Sequence, residues 1–287
     1  MKRMQVTRAN LDVNDYKLRT ALESDYSPEN LIRESCILEY QGRPIVIYKK
    51  LDEENFDCYA IVEALKRIKY HTSERTGGLK TTSRIFGFSP RNTIRKDYCS
   101  TTSLIEDFPK ENALICNYGA KVSRLYQETA PEIFEEHKKL ADKVLKDWMI
   151  EDSPFTSGII NKNNPLKYHF DSGNFNNVYS CMLGFKNNTA GGYLALPEYD
   201  CALEIANNSV LIFDGQQILH GVTPIKMLAD DSYRYTIVYY SLKRMWQCLP
   251  LSDEIIRIRN KKTEREFKRA SKQDVLETEA DTFKDFR

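Results

Sequence analysis

Residues 168–174 read Tyr168-His169-Phe170-Asp171-Ser172-Gly173-Asn174, and the stretch they open closes on Tyr233-Arg234-Tyr235-Thr236-Ile237-Val238-Tyr239-Tyr240. Between the two lies Leu219-His220-Gly221-Val222-Thr223-Pro224. His169 and Asp171 are two residues apart, so on a strand their side chains leave the same face and reach one metal ion together. His220 brings a second imidazole from a separate segment, and Gly221 beside it admits a close backbone approach. Two histidines and one carboxylate on one side of Fe(II) leave three coordination positions open, enough for a chelating 2-oxoacid and O2.

Arg234 extends the pattern. A 2-oxoglutarate held through its keto-acid end presents a second carboxylate away from the metal. A guanidinium matches that carboxylate with a planar fork and keeps its charge. Thr236 shares a strand face with Arg234 and offers a hydroxyl to the same group. Asn174 reads in two ways, as an Asx-turn residue or as a substrate contact.

Outward from these segments the texture is β-rich. The ranges 166–170, 178–185, 192–196, 202–206, 210–214 and 233–242 are short, aromatic or β-branched, with Asn-rich turns between them. Such spacing predicts a sandwich or barrel rather than βαβ units. Nearer the start, 36–40 and 44–48 flank Gly42 as two short strands. Phe56, Tyr59, Ile61, Val62, Leu65 and Ile68 predict a helix over 56–69. A second helix begins at Thr129-Ala130-Pro131-Glu132, with proline in the first turn, and carries an apolar stripe as far as Trp148. His137, at the edge of that stripe, reads as a packed histidine rather than a ligand. The pattern predicts an α+β chain, a jelly roll buttressed by helices from the N-terminal half. It divides into a helical and mixed region over 1–150, a β core over 151–250 and a charged tail over 251–287 that reads as a solvated helix.

The net charge of +1 points to no partner for the chain as a whole. Locally, from Lys66 to Lys96, nine basic residues face the single acid Glu74, in a segment whose part 71–97 reads as a loop. That cluster is either a phosphate-binding surface for DNA or a solvated basic face. The seven cysteines are scattered with no C-x-x-C, which argues against a disulfide framework and against a zinc knuckle. No apolar leader and no run of about 20 apolar residues is present. These features predict a soluble protein of a reducing compartment with no membrane partner: cytoplasmic in a bacterial or phage-infected cell, nuclear in a eukaryote.

The segments His169 to Asn174, Gly191-Gly192-Tyr193-Leu194-Ala195-Leu196-Pro197, Val210-Leu211-Ile212-Phe213-Asp214, His220 to Pro224 and Arg234 to Tyr240 resemble the iron- and 2-oxoglutarate-dependent oxygenases of the TET and base-J-binding-protein (thymine hydroxylase) superfamily. Phe155-Thr156-Ser157-Gly158-Ile159-Ile160-Asn161 and Arg84-Ile85-Phe86-Gly87-Phe88 are similar to phage and bacterial members. The resemblance implies a double-stranded β-helix of the cupin-like kind. It implies iron held by His169, Asp171 and His220, 2-oxoglutarate held by Arg234, and a target base contacted by Asn174. The activity implied is hydroxylation of the 5-methyl group of thymine or 5-methylcytosine in DNA. The cysteine-rich zinc-binding segment of animal TET enzymes has no counterpart in this sequence. Two rival readings use the same fold: the same chemistry on a free nucleotide, amino acid or other small molecule, and a non-catalytic DNA-binding module.

Overall fold

In the strand Tyr233–Tyr240 alternate residues meet two different environments. Tyr235, Ile237 and Tyr239 enter a core shared with helices. Arg234, Thr236, Val238 and Tyr240 line a cavity on the opposite face. The two-residue period of a strand is thus spent on both sides of one sheet. The computed structural model describes residues 1–75, 79–91 and 97–284, with side chains described outside 74–80, 92–96 and 272–287.

That sheet has ten strands. Its spatial order is Lys2–Gln5, Cys36–Tyr40, Arg43–Lys50, Ser209–Phe213, Ser180–Asn187, Tyr233–Tyr240, Ser157–Lys162, Leu79–Ser89 and His71–Arg75, with Ser100–Thr101 paired to Leu79–Ser89. A five-stranded sheet runs Leu31–Ile32, Cys201–Leu203, Leu194–Leu196, His220–Val222 and Leu166–His169. Leu38, Val46, Tyr48, Leu211 and Phe213 of the large sheet pack against Ile32, Leu194, Leu196, Leu203 and Val222 of the small one. The apolar residues of the two inner faces close the double-stranded β-helix, and its open end is the cavity. Elements from the first ninety residues extend the same large sheet rather than standing apart from it.

The helices cover the outer face. Cys58–Arg67 is capped by Asp57, whose side chain accepts from Ala60 N–H. With Pro109–Thr129 and Pro131–Ala141 it brings Ile61, Leu65, Tyr118, Val122, Tyr126 and Phe134 onto Ile160, Leu183, Ile237 and Tyr239. Each large side chain buried in this way contributes about 1.5–3 kcal/mol. Pro109–Thr129 approaches the sheet at Gly119, where an added Cβ would lie 2.9 Å from the Tyr239 ring. The Tyr239 hydroxyl donates to the Ile115 carbonyl at 2.8 Å and ties the helix down.

Four expectations change. The described residues of 71–91 are mostly strand rather than loop: His71–Arg75 and Leu79–Ser89 form an antiparallel pair, and the second strand joins Ser157–Lys162, while 92–96 lie outside the described residues. Alternation marks the second half of Leu79–Ser89, where Arg84 and Phe86 are buried with the exposed Ile85 between them. Gly77 and Gly78 lie outside the described residues. The helix from Pro131 stops at Ala141 instead of reaching Trp148, which sits in the short turn Lys146–Trp148. The 21-residue helix Pro109–Thr129 has no counterpart in the sequence reading. Finally, Cys99 and Cys248 are disulfide-bonded although 149 residues apart, because the fold brings their Cα atoms to 5.7 Å. The charged tail does form a helix, Leu251–Lys284. Among the described residues no helix is long and apolar enough to cross a membrane.

Candidate metal centre

His169 ends the strand Leu166–His169 and His220 begins the strand His220–Val222, and the two residues are direct partners in the antiparallel pair. Their rings lie 4.4 Å apart between centroids. Asp171 follows in the loop, where its N–H donates to the Gly215 carbonyl at 2.8 Å. The Asp214 carboxylate accepts from Gln216 N–H and so shapes the turn that presents Gly215. The three predicted residues converge: every candidate ligand atom lies within 4.8 Å of the others. Asp171 Oδ1 is 3.6 Å from His169 Nε2 and 3.9 Å from His220 Nε2.

Protonation decides what that convergence means. His169 Nδ1 contacts the Lys167 carbonyl at 2.8 Å, and His220 Nδ1 the Ile218 carbonyl at 2.9 Å. A carbonyl only accepts, so each Nδ1 carries a hydrogen and each Nε2 is the ring nitrogen turned toward Asp171. Burial, and then the neighbouring His169, push the His220 pKa down to about 4, so this imidazole is neutral at pH 7. Two imidazole Nε2 atoms and a carboxylate aimed at one point form a donor set for a divalent cation. The donor set therefore fits iron, and imidazole with carboxylate is the combination such non-haem sites use.

Arg234 lies at the other end of the same cavity. It is 3% exposed, and burial alone lowers its pKa to about 10, which leaves it charged at pH 7. Its Nη2 donates to the Gly192 carbonyl at 3.0 Å. Gly192 has φ +68°, and a Cβ there would come within 2.9 Å of Arg234 Nε, so the approach requires glycine. Among the described residues no carboxylate forms an ion pair with this guanidinium. A buried, unneutralised cation opening on a cavity is costly unless an anion joins it.

The cavity of about 310 Å³ collects all six predicted residues: His169, Asp171, Asn174, His220, Arg234 and Thr236. Thr236 is buried on the Arg234 face. Asn174 is buried as well, donates to Ser180 Oγ at 3.4 Å and pairs through its backbone with Leu242. Sequence reasoning missed Asn161, Asn164, Phe213 and Tyr240 in the lining. Asn161 and Asn164 belong to a run read as a turn. The signal that finds Asn161 is its inward register on Ser157–Lys162, opposite Thr236.

In the basic segment, expected to be either a phosphate-binding surface or a solvated basic face, Lys66, Arg67 and Lys69 are exposed and several of the charges have acidic partners. Lys66 pairs with Glu63 at 2.8 Å, Arg67 with Glu111 at 2.8 Å and Arg91 with Glu254 at 2.8 Å. Arg84 is buried and pairs with Asp107. The side chains of Arg75, Lys80, Arg95 and Lys96 lie outside the described residues. His137 is buried among Tyr126, Phe155 and Phe175, with Nε2 2.8 Å from Ser241 Oγ, and is a packed histidine as expected.

The family model Tet_JBP, described as the oxygenase domain of the 2OGFeDO superfamily, matches residues 86–243. Thymine dioxygenase JBP1 of Trypanosoma brucei brucei is 28% identical over 168 residues, which are 57% of this chain and 19% of that protein. The bifunctional helicase and thymine dioxygenase JBP2 of the same organism is 28% identical over 119 residues, 42% of this chain and 11% of that protein. The chain thus spans under a fifth of the length of these curated relatives. Among solved structures, NgTET1 in complex with 5mC DNA superposes with a TM-score of 0.59 at 17% identity, covering 79% of this chain and 83% of that one. At that identity the likeness speaks for the fold.

Proposed function

The chain belongs to the Tet_JBP family, the oxygenase domains of the 2OGFeDO superfamily, and on that premise we propose that it is an Fe(II)- and 2-oxoglutarate-dependent dioxygenase that hydroxylates the 5-methyl group of a pyrimidine, thymine or 5-methylcytosine, in DNA. The observation that carries the reading is the pairing, in one cavity, of a three-donor metal set with a buried guanidinium that has no carboxylate partner among the described residues. His169, Asp171 and His220 would hold the iron. Arg234 and Thr236 would hold the far carboxylate of 2-oxoglutarate. When bound, iron, 2-oxoglutarate and O2 supply an oxidant that takes hydrogen from a methyl group no side-chain acid or base removes.

The protein's own part is placement. The carbonyls of Lys167 and Ile218 fix the two imidazoles in the tautomer that faces the metal. Arg234, buried in the cavity wall, anchors the cosubstrate and so leaves the His169 and Asp171 side, where both side chains are 30% exposed, for the substrate. A base inside a duplex has to leave the stack to reach that side, at a cost of a few kcal/mol. Asn174, in the wall beside Ser180, is then the residue in register to meet a base edge. The names of the curated relatives support thymine as a target.

A second reading, the same chemistry on a free nucleotide or other small molecule, is favoured by one observation: Lys66, Arg67, Arg84 and Arg91 are already paired with acids. Mass spectrometry of nucleosides from DNA incubated with the protein, Fe(II), ascorbate and 2-oxoglutarate separates the two. The DNA reading expects 5-hydroxymethylpyrimidine, reduced in Asn174→Ala more than uncoupled succinate release is. Succinate release with no modified nucleoside in any DNA would select the small-molecule reading.

A further inference from the structure

The floor of the cavity carries a hydrogen-bond relay whose direction is set from outside the site. Asn164 is clamped to one residue of the strand Leu79–Ser89: Thr82 N–H donates to Asn164 Oδ1 at 2.8 Å, and Asn164 Nδ2 donates to the Thr82 carbonyl at 2.9 Å. A backbone N–H needs an oxygen and a backbone carbonyl needs a donor, so this pair of bonds permits one orientation of the Asn164 amide. Its second N–H then meets Asn161, 3.3 Å away, and Asn161 must present Oδ1 to it. That turns Asn161 Nδ2 toward Thr236 Oγ1, at 3.4 Å across the Ser157–Lys162 and Tyr233–Tyr240 pair. Asn161 can only donate there, so the Thr236 hydroxyl accepts and keeps its own hydrogen for the cavity. All three side chains line the cavity and Asn161, Asn164 and Thr236 are buried.

We propose that Asn164 and Asn161 are positioning residues that hold the cavity floor in an all-donor state, so that it selects a 2-oxoacid ending in a carboxylate over one ending in an amide. The proposal rests on the reading that Arg234 and Thr236 receive the far end of 2-oxoglutarate. Beside the Arg234 guanidinium, the Thr236 O–H and the remaining Asn161 N–H meet an acceptor-only carboxylate with every hydrogen used. A distal amide brings an NH2 against those donors and leaves hydrogens unpaired in a buried site. The clamp on Thr82 matters because a free asparagine flips at little cost and would offer an oxygen to the ligand half of the time. Fixing it removes that acceptor.

Calorimetric binding of 2-oxoglutarate and of its distal amide, 2-oxoglutaramate, to the full chain loaded with Mn(II) tests this without turnover. The wild type should bind the diacid at least about tenfold more tightly than the amide. Asn161→Asp, which keeps the shape and reverses the polarity, should weaken 2-oxoglutarate by about tenfold or more and shrink or invert that preference. Asn164→Ala, at a residue whose amide is spent on Thr82 and Asn161, should move both quantities in the same direction by a smaller factor. Mn(II) affinity, read at the other end of the cavity, serves as the check that each variant is folded. Wild-type affinity and preference in both variants, with binding still lost in Arg234→Ala, would overturn the relay and leave the cosubstrate site standing. Unchanged binding in Arg234→Ala would overturn the cosubstrate site and the relay with it.

Discussion

At Gly215 a single added methyl would sit 2.2 Å from Asp171 Oδ2 and 3.3 Å from the His220 ring. The carboxylate end is movable, so Gly215→Ala is expected to leave the fold standing and turn Asp171 away from the two imidazoles. Metal affinity should fall by about ten- to a hundredfold, as for other changes behind a ligand, with little loss of melting temperature. Calorimetry with Mn(II) reads the first and a thermal melt the second; unchanged affinity would mean that Asp171 does not belong to the donor set. At this scale much was legible. His-x-Asp on a strand end and Arg-x-Thr on a strand announce shared faces, and the four side chains do line one cavity. Asn161 and Asn164 were not legible, because Asn161-Lys162-Asn163-Asn164-Pro165 has the composition of a turn. Only pairing with Thr82 and Thr236, each more than seventy residues away, turns two of those asparagines inward.

Among the elements, the strand Tyr233–Tyr240 was readable because its period-two alternation survives in both environments. The helix Pro109–Thr129 was missed although Pro109 opens it and Ile115, Tyr118, Val122, Leu125 and Tyr126 mark one buried face. Leu114, Cys116 and Ala120 beside that face blur its period in the sequence. The helix Pro131–Ala141 carries a pH effect. Burial lowers the His137 pKa to about 3 from an ordinary value of 6.5. Between those values the unfolded chain binds the proton and the folded chain does not. The stability from this group is therefore full above about pH 6.5 and falls as pH drops, by about 1.4 kcal/mol per unit. Melting curves from pH 7 to pH 4 should show a shallower decline for His137→Gln than for the wild type. Parallel declines would contradict the account of a neutral, buried imidazole.

For the whole molecule, the disulfide Cys99–Cys248 joins the segment before the strand Ser100–Thr101 to the segment before the last helix. In the same region the buried Glu254 accepts from Cys99 N–H and Leu249 N–H and pairs with Arg91. Closing so long a loop constrains the unfolded chain, and Cys248→Ser is expected to cost about 2–4 kcal/mol. The drop in melting temperature should match that produced in the wild type by reductant; no drop in either would remove the crosslink from the account. No spacing rule could have shown this bond, since its partners meet only once both sheets and the last helix are in place. The same holds for part of the basic segment, where Arg67, Arg84 and Arg91 meet Glu111, Asp107 and Glu254 across the fold. What the whole fold delivers is one cavity lined by a candidate cation-binding cluster and by a buried guanidinium that has no carboxylate partner among the described residues. Fe(II)-dependent conversion of 2-oxoglutarate to succinate, measured without any second substrate, tests that arrangement most directly. The account predicts slow but measurable release by the wild type, and a loss to background in each of His169→Ala, Asp171→Ala and His220→Ala with the fold retained. Near-normal release by any one of the three would contradict it.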